Sequence, residues 1–93
     1  MTARDPRRIT LDGELTIMTA AAHKDRLLSA LPGNDGLRVD MSGVEEIDTA
    51  GLQVLLLVRR EAQRLELPFE IGAAGGSVAE VLAMAGLATA EEG

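Results

Sequence analysis

The feature that most constrains this chain is a change in its hydrophobic period. In "LRVDM", Leu37, Val39 and Met41 alternate with Arg38 and Asp40, the period of two that buries one face of a strand. From Gly51 the period lengthens. Gly51, Leu55, Val58, Ala62 and Leu65 fall on one stripe at about 100° per residue, the apolar face of a helix. Strand character returns in "PFEIGA" through Phe69 and Ile71. A helix between two strands is too long a connection for a hairpin, so the fold class is α/β with a sheet that is at least partly parallel.

The stretch before "LRVDM" follows the same logic. In "ITLDGELTI", Ile9 and Leu11, then Leu15 and Ile17, alternate with polar residues and predict two strand segments. Asp12-Gly13 between them is either a tight hairpin turn or a bend in one longer strand. Thr19 is placed to cap a helix over "AAAHKDRLLSAL", with Leu27, Leu28, Leu31 and the stem of Lys24 on one face and Pro32-Gly33 as its stop. Ser42-Gly43 is expected to close the strand "LRVDM", leaving Glu45-Glu46 as a solvated turn. Asp48 or Thr49 then caps the long helix, which runs to about Leu65 before Pro68 ends it.

"SVAE" at Ser77 to Glu80 has capping-box spacing for a last short helix carrying Val78, Val81 and Leu82. Gly86 ends it, with Leu87 placed for the hydrophobic contact of a C-terminal cap. The expected whole is a mixed, largely parallel sheet of about four strands with three to four helices. Residues 1–93 make a single domain, with 1–7 and 89–93 flexible.

Composition narrows the function. With 93 residues the chain suits one core, and 46% apolar and 26% charged residues are ordinary for a globular protein. Phe69 is its sole aromatic residue, so there is no platform for stacking bases, and a net charge of −6 lacks the basic footprint that phosphate backbones require. Nucleic acid and anionic membrane surfaces are therefore disfavoured, and a protein partner is expected. The absence of cysteine removes disulfides, thiolate metal sites and a cysteine nucleophile. "MTARDPRRIT" is too polar for a signal peptide, and no apolar run approaches the roughly 20 residues that span a bilayer. The expected location is cytoplasmic, without membrane insertion.

Few residues suggest chemistry. His23, the single histidine, has no partners at metal-ligand spacing and reads as a surface or half-buried helix residue. "GAAGG" at Gly72 to Gly76 lacks both the Walker lysine and the dinucleotide spacing, and reads as a helix-entry turn. No nucleophile elbow occurs, and His23 and Thr49 belong to different elements. No catalytic residue, metal site or cofactor is expected. Asp48-Thr49-Ala50-Gly51 remains, which as local structure is a helix cap and a close turn. Leu56 and Leu57 also remain, since they fall off the apolar stripe among Gln53, Arg60 and Arg64, and helix periodicity gives no reason for them.

The string "VDMSGVEEIDTAGLQVLLLVRREAQ", Val39 to Gln63, resembles the STAS domain, the family of bacterial anti-sigma factor antagonists also found at the tail of sulfate transporters. Asp40-Met41-Ser42 matches the family's strand-ending "D-[LM]-S", and Asp48 to Gly51 matches its "D-[ST]-x-G". "DGELTI" and the "GLA" after the last helix extend the resemblance over nearly the whole chain. A STAS-type fold is implied. So is a non-enzymatic module that docks on a protein through Asp48, Thr49, Ala50, Gly51, Gln53, Leu56, Leu57 and Arg60, with Asp40 and Ser42 supporting the loop.

In anti-sigma antagonists the hydroxyl at the Thr49 position is phosphorylated by a partner kinase, and docking is then blocked. A phosphate there would suit the helix dipole but would meet like charge at Asp48 and, on this reading, at Asp40. The segment before Ile9 is shorter than in the typical antagonist, which has a further strand there. Other family members serve a phospholipid-transport ABC complex or chemosensory systems without phosphorylation. The implied partners are thus an anti-sigma factor kinase, a transporter ATPase or a chemosensory protein, met by a monomer or weak dimer.

Overall fold

A computed structural model describes residues 7–33, 35–87 and 89. Its elements run β1 (Arg7–Leu15), α1 (Ala20–Ser29), β2 (Leu37–Ile47), α2 (Thr49–Arg64), β3 (Phe69–Ala74) and α3 (Gly76–Met84). The strands form one sheet in the order β1-β2-β3, parallel throughout the described residues. Parallel pairing follows from the helical crossovers, as the change of period requires.

Inward strand positions Ile9, Leu11, Leu15, Leu37, Val39, Met41, Val44 and Ile71 form one core with Leu27, Val54, Leu55, Val58, Val78 and Leu82 of the helices and Leu31 of the segment after α1. The alternate positions Arg8, Thr10, Arg38, Asp40 and Glu70 stay out of that cluster, and Arg38 Nη1 donates to Glu70 Oε1 across the β2–β3 register at 2.8 Å.

Three expectations need correction. The sheet has three strands among the described residues, not about four, because "ITLDGELTI" contributes one. Gly13, at φ 72°, bends β1 beside register shifts against β2, and no hairpin forms. Strand β2 is not closed by Ser42-Gly43; a bulge there absorbs the irregularity and the strand continues to Ile47, so Glu45-Glu46 are exposed strand residues. Helix α3 begins at Gly76 with Gly75 as N-cap and no side-chain capping bond, so Ser77 lies inside the helix instead of before it.

Helix α2 matches expectation, except that Val54 joins the buried set while Leu65 is half-buried. The long helix ends with Glu66 at φ 60°, and the last one with Gly86 at φ 79°. In each, the next residue's amide reaches back five residues, Leu67 to the Ala62 carbonyl and Leu87 to the Leu82 carbonyl, both at 2.8 Å. Of the ends expected to be flexible, 1–6 and 90–93 lie outside the described residues. Arg7 donates from its amide to the Gly36 carbonyl at 3.0 Å, and Thr89 bridges to Ile71.

Candidate functional site

The C-terminal ends of β1 and β2 bring together two segments that are far apart in sequence. Asp48 is the N-cap of α2, in extended conformation, and its Oδ1 accepts from the Gly51 amide at 3.0 Å. Its other oxygen, Oδ2, accepts from the Ile17 amide, also at 3.0 Å. The Asp48 amide donates to the Leu15 carbonyl at 3.3 Å. One carboxylate therefore starts a helix and ties the β1–α1 loop to it. The amides of Gly51 and then Ile17 hold its pKa below the ordinary carboxylate range.

Gly51 makes that tie sterically feasible. A Cβ at this position would lie 2.0 Å from the Leu15 carbonyl oxygen, so the loop crosses α2 where only hydrogen fits. Between these two engaged residues, the Thr49 side chain is exposed and its hydroxyl makes no hydrogen bond among the described residues.

The loop itself is internally braced. Thr19 Oγ1 accepts from the Thr16 amide at 3.1 Å and donates to the Glu14 carbonyl at 2.9 Å, while buried Thr16 accepts from the Met18 amide at 3.3 Å. His23 Nε2 donates to the same Glu14 carbonyl at 3.1 Å, a structural part for a half-buried histidine. This bracing holds Ile17 and Met18 out in solvent, 71% and 83% exposed. Ile17, Ala20, Ala21, Lys24, Ala50, Gln53, Val54 and Leu57 line a groove of about 360 Å³ between α1 and α2. A smaller depression of about 250 Å³ adjoins it, lined by Gln53, Leu56, Leu57 and Arg60.

The structure thus places Thr49 and Ala50 on the first turn of α2 and Gln53, Leu56, Leu57 and Arg60 along the same helix, with Arg60 about 16 Å from Thr49. Leu57 is 42% exposed and Leu56 half-buried. Gly51 is buried against Leu15 and positions the site without facing solvent. Asp40 and Ser42 do not support this loop. They lie in β2, Asp40 seven residues before its end at Ile47, about 20 Å along the strand, so Asp40 is no neighbour of a group on Thr49. Asp40 instead accepts from the Ser42 amide at 2.9 Å across the bulge, and that bond lowers its pKa. Ile17 and Met18, exposed in the β1–α1 loop, are absent from the expected site because the strand alternation of "ITLDGELTI" suggests that Ile17 faces the core. Among the described residues no group of His, Asp or Glu is arranged to hold a metal ion, and no helix is long and apolar enough to cross a membrane.

The described residues thus form a parallel α/β domain that presents an exposed hydroxyl on the first turn of α2. The chain belongs to the STAS domain family: residues 2–90 match the family described as "Mlab, STAS domain". Among solved structures it is similar to the anti-sigma factor antagonist SpoIIAA in its unphosphorylated form, with TM-score 0.75 at 16% identity over 100% of this chain and 86% of that one. A serine-to-glutamate variant of RsbS from Moorella thermoacetica gives TM-score 0.75 at 27% identity over 99% and 84%. A sulfate transporter family protein from Wolinella succinogenes gives 0.73 at 14% over 86% of this chain and 66% of that chain. No curated protein matches the chain.

Proposed function

We propose that this STAS protein is a non-enzymatic, cytoplasmic regulatory module of the anti-sigma factor antagonist type, docking on a protein partner through the start of α2 and switched by phosphorylation of Thr49. The observation that carries this reading is the division of labour within Asp48-Thr49-Ala50-Gly51. Asp48 and Gly51 are consumed by the fold, while the Thr49 side chain is exposed and its hydroxyl has no hydrogen bond among the described residues. Ile17 and Met18 supply exposed apolar area beside the start of α2, and Leu57, Gln53 and Arg60 extend the surface along the helix, Leu57 about 12 Å from Thr49. A phosphate would place about −1.5 to −2 charge beside Ile17 and Met18, where burying it unpaired on association is costly.

Incubation with the anti-sigma kinase it antagonises and ATP should place one phosphate on Thr49, read by peptide mass spectrometry. An unmodified Thr49 after many kinase turnovers would refute the switch. Thr49→Glu should weaken docking in calorimetry with an unchanged far-UV spectrum, and equal affinity of both forms would move the interface elsewhere.

A second reading is favoured by the similarity to a sulfate transporter family protein and by the large exposure of Ile17 and Met18. In it the chain is a permanent accessory subunit of a transport complex, such as a phospholipid-transport ABC assembly, and Thr49 is a contact residue that is never modified. Co-purification with an ATPase, unaffected by ATP and a kinase, would select it over the switch.

A further inference from the structure

At the other end of the strands, about 30 Å from Thr49 along β2, lies a depression of about 350 Å³. It is lined by Arg7, Arg8 and Ile9 of β1 and by Arg26, Ser29 and Ala30 at the end of α1. The three arginines are exposed, and among the described residues neither Arg7 nor Arg26 has a hydrogen bond or an acidic partner for its side chain. Arg8 acts on Asp40 only through a weak Coulombic attraction. Elsewhere Arg38 is engaged with Glu70, Arg64 with Glu61, and Arg59 with the Gly86 carbonyl at 3.5 Å, while Arg60 on α2 is exposed without a partner among the described residues. In a chain with 15 acidic and 9 basic residues, acids are in excess, yet among the described residues none is paired with Arg7 or Arg26. The dipole of α1 accounts for Arg26 in its last turn, but its C-terminal charge of about −0.5 does not balance the guanidinium groups of both Arg7 and Arg26, with Arg8 adding charge from the other face of β1.

We infer that this depression is a binding site for a compact dianion of the phosphomonoester class. Guanidinium forks match tetrahedral oxyanions with paired, charge-assisted hydrogen bonds. Ser29 adds a hydroxyl donor. The volume lies near the lower end of the range for small-ligand sites, about 300–1,000 Å³. A singly charged carboxylate would leave most of the local positive charge unneutralised, whereas a phosphomonoester brings close to two negative charges. A soluble metabolite and the headgroup of a phosphatidic-acid lipid both present this group. The site is independent of whatever docks at Thr49.

The test uses the full chain, labelled with ¹⁵N, and follows the arginine Nε–Hε resonances during titration with glycerol 3-phosphate against sodium chloride at matched ionic strength. The expected result is saturable shifts confined to Arg7, Arg8 and Arg26 and the Ser29 and Ala30 amides. Arg7→Gln and Arg26→Gln should each weaken binding at least about tenfold, the loss expected for one charge-assisted bond. Arg64→Gln, on α2, should leave it unchanged. Non-saturating shifts, shifts matched by chloride, or full binding by an Arg7→Gln, Arg26→Gln double variant would each overturn the inference. Equal binding of an oligoglutamate peptide would overturn the phosphate assignment. Co-sedimentation with phosphatidic-acid vesicles but not phosphatidylcholine vesicles, lost in the double variant, would identify the lipid source. Retention of glycerol 3-phosphate binding without vesicle binding would identify the soluble one.

Discussion

Replacing Gly51 by alanine puts two effects in opposition. Alanine is the better helix former by about 1 kcal/mol, and Gly51 lies inside α2, so propensity alone predicts a more stable protein. The structure predicts the reverse. The new Cβ would lie 2.0 Å from the Leu15 carbonyl oxygen and 2.9 Å from both its carbonyl carbon and its Cγ. The obstacle is backbone, which cannot rotate away, so either the loop or the start of α2 must move by more than 1 Å. Overpacking of this kind costs about 1–3 kcal/mol, and the upper figure applies where backbone is displaced. Subtracting the helical gain leaves a net destabilisation of about 2 kcal/mol. In a domain of this size that lowers Tm by roughly 10 °C.

Thermal and urea denaturation of Gly51→Ala beside Gly76→Ala make the comparison internal, because a Cβ at Gly76 meets nothing within 4 Å. Gly76→Ala is expected to hold or raise Tm. If Gly51→Ala is as stable as the parent or more so, the close approach is not a constraint, and the account of the D-T-A-G motif given above is wrong.

Three further outcomes follow from the same geometry. Glu66 occupies the left-handed region at φ 60°, which costs a non-glycine residue about 1 kcal/mol; Glu66→Gly should stabilise by up to that amount in urea denaturation, while Gly86→Ala, at φ 79°, should destabilise by a similar amount. Leu55→Ala, at a fully buried position, should cost about 2–5 kcal/mol, and Leu57→Ala, 42% exposed, should change stability by less than about 0.5 kcal/mol while weakening docking; a matched stability loss would contradict the placement of the two residues. Asp48 has a depressed pKa when folded, so its contribution is complete above the ordinary carboxylate range and is lost as pH falls through the folded value. The Ile17 amide resonance should titrate with Asp48 at a midpoint below about pH 3.9, and a midpoint at or above that would refute the two-amide tie.

What was legible in the sequence is what local physics decides. The stripe through Gly51, Leu55, Val58 and Ala62 identified the buried face of α2 because a helix repeats its geometry every few residues. Leu57 was recognisable as surplus for the same reason. What was not legible depends on neighbours distant in sequence. Nothing near Gly51 announces that Leu15 will cross it, and nothing near Asp48 announces that one of its oxygens belongs to Ile17, 31 residues earlier. Ile17 continues the alternation of Leu15, but it falls beyond the last paired strand residue, so its apolar side chain points to solvent. In β2 the bulge near Ser42 looked like a strand end, because a turn-forming pair and a bulge draw on the same residue types.

The arrangement at Asp48 and Thr49 also bears on how a switch here would work. A modification that broke the fold would need a bond to break, and among the described residues the Thr49 hydroxyl has none to lose. The amides of Gly51 and Ile17 are already occupied by Asp48, so a phosphate on Thr49 could not take them without displacing that carboxylate and would stand beside its negative charge. The favourable dipole of α2 and the repulsion from Asp48 act in opposite directions on the same group. On the proposed reading the net effect falls on the surface and not on the fold. The added charge is raised beside Ile17 and Met18, and a partner that would bury those side chains must either pair the charge or leave. Thr49→Glu should therefore keep Tm within a few degrees of the parent while reducing partner affinity, and Asp48→Asn should do the opposite by lowering Tm without adding charge to the interface. If the two variants moved both quantities together, cap and switch would be one device, and the separation of roles within the motif would fail.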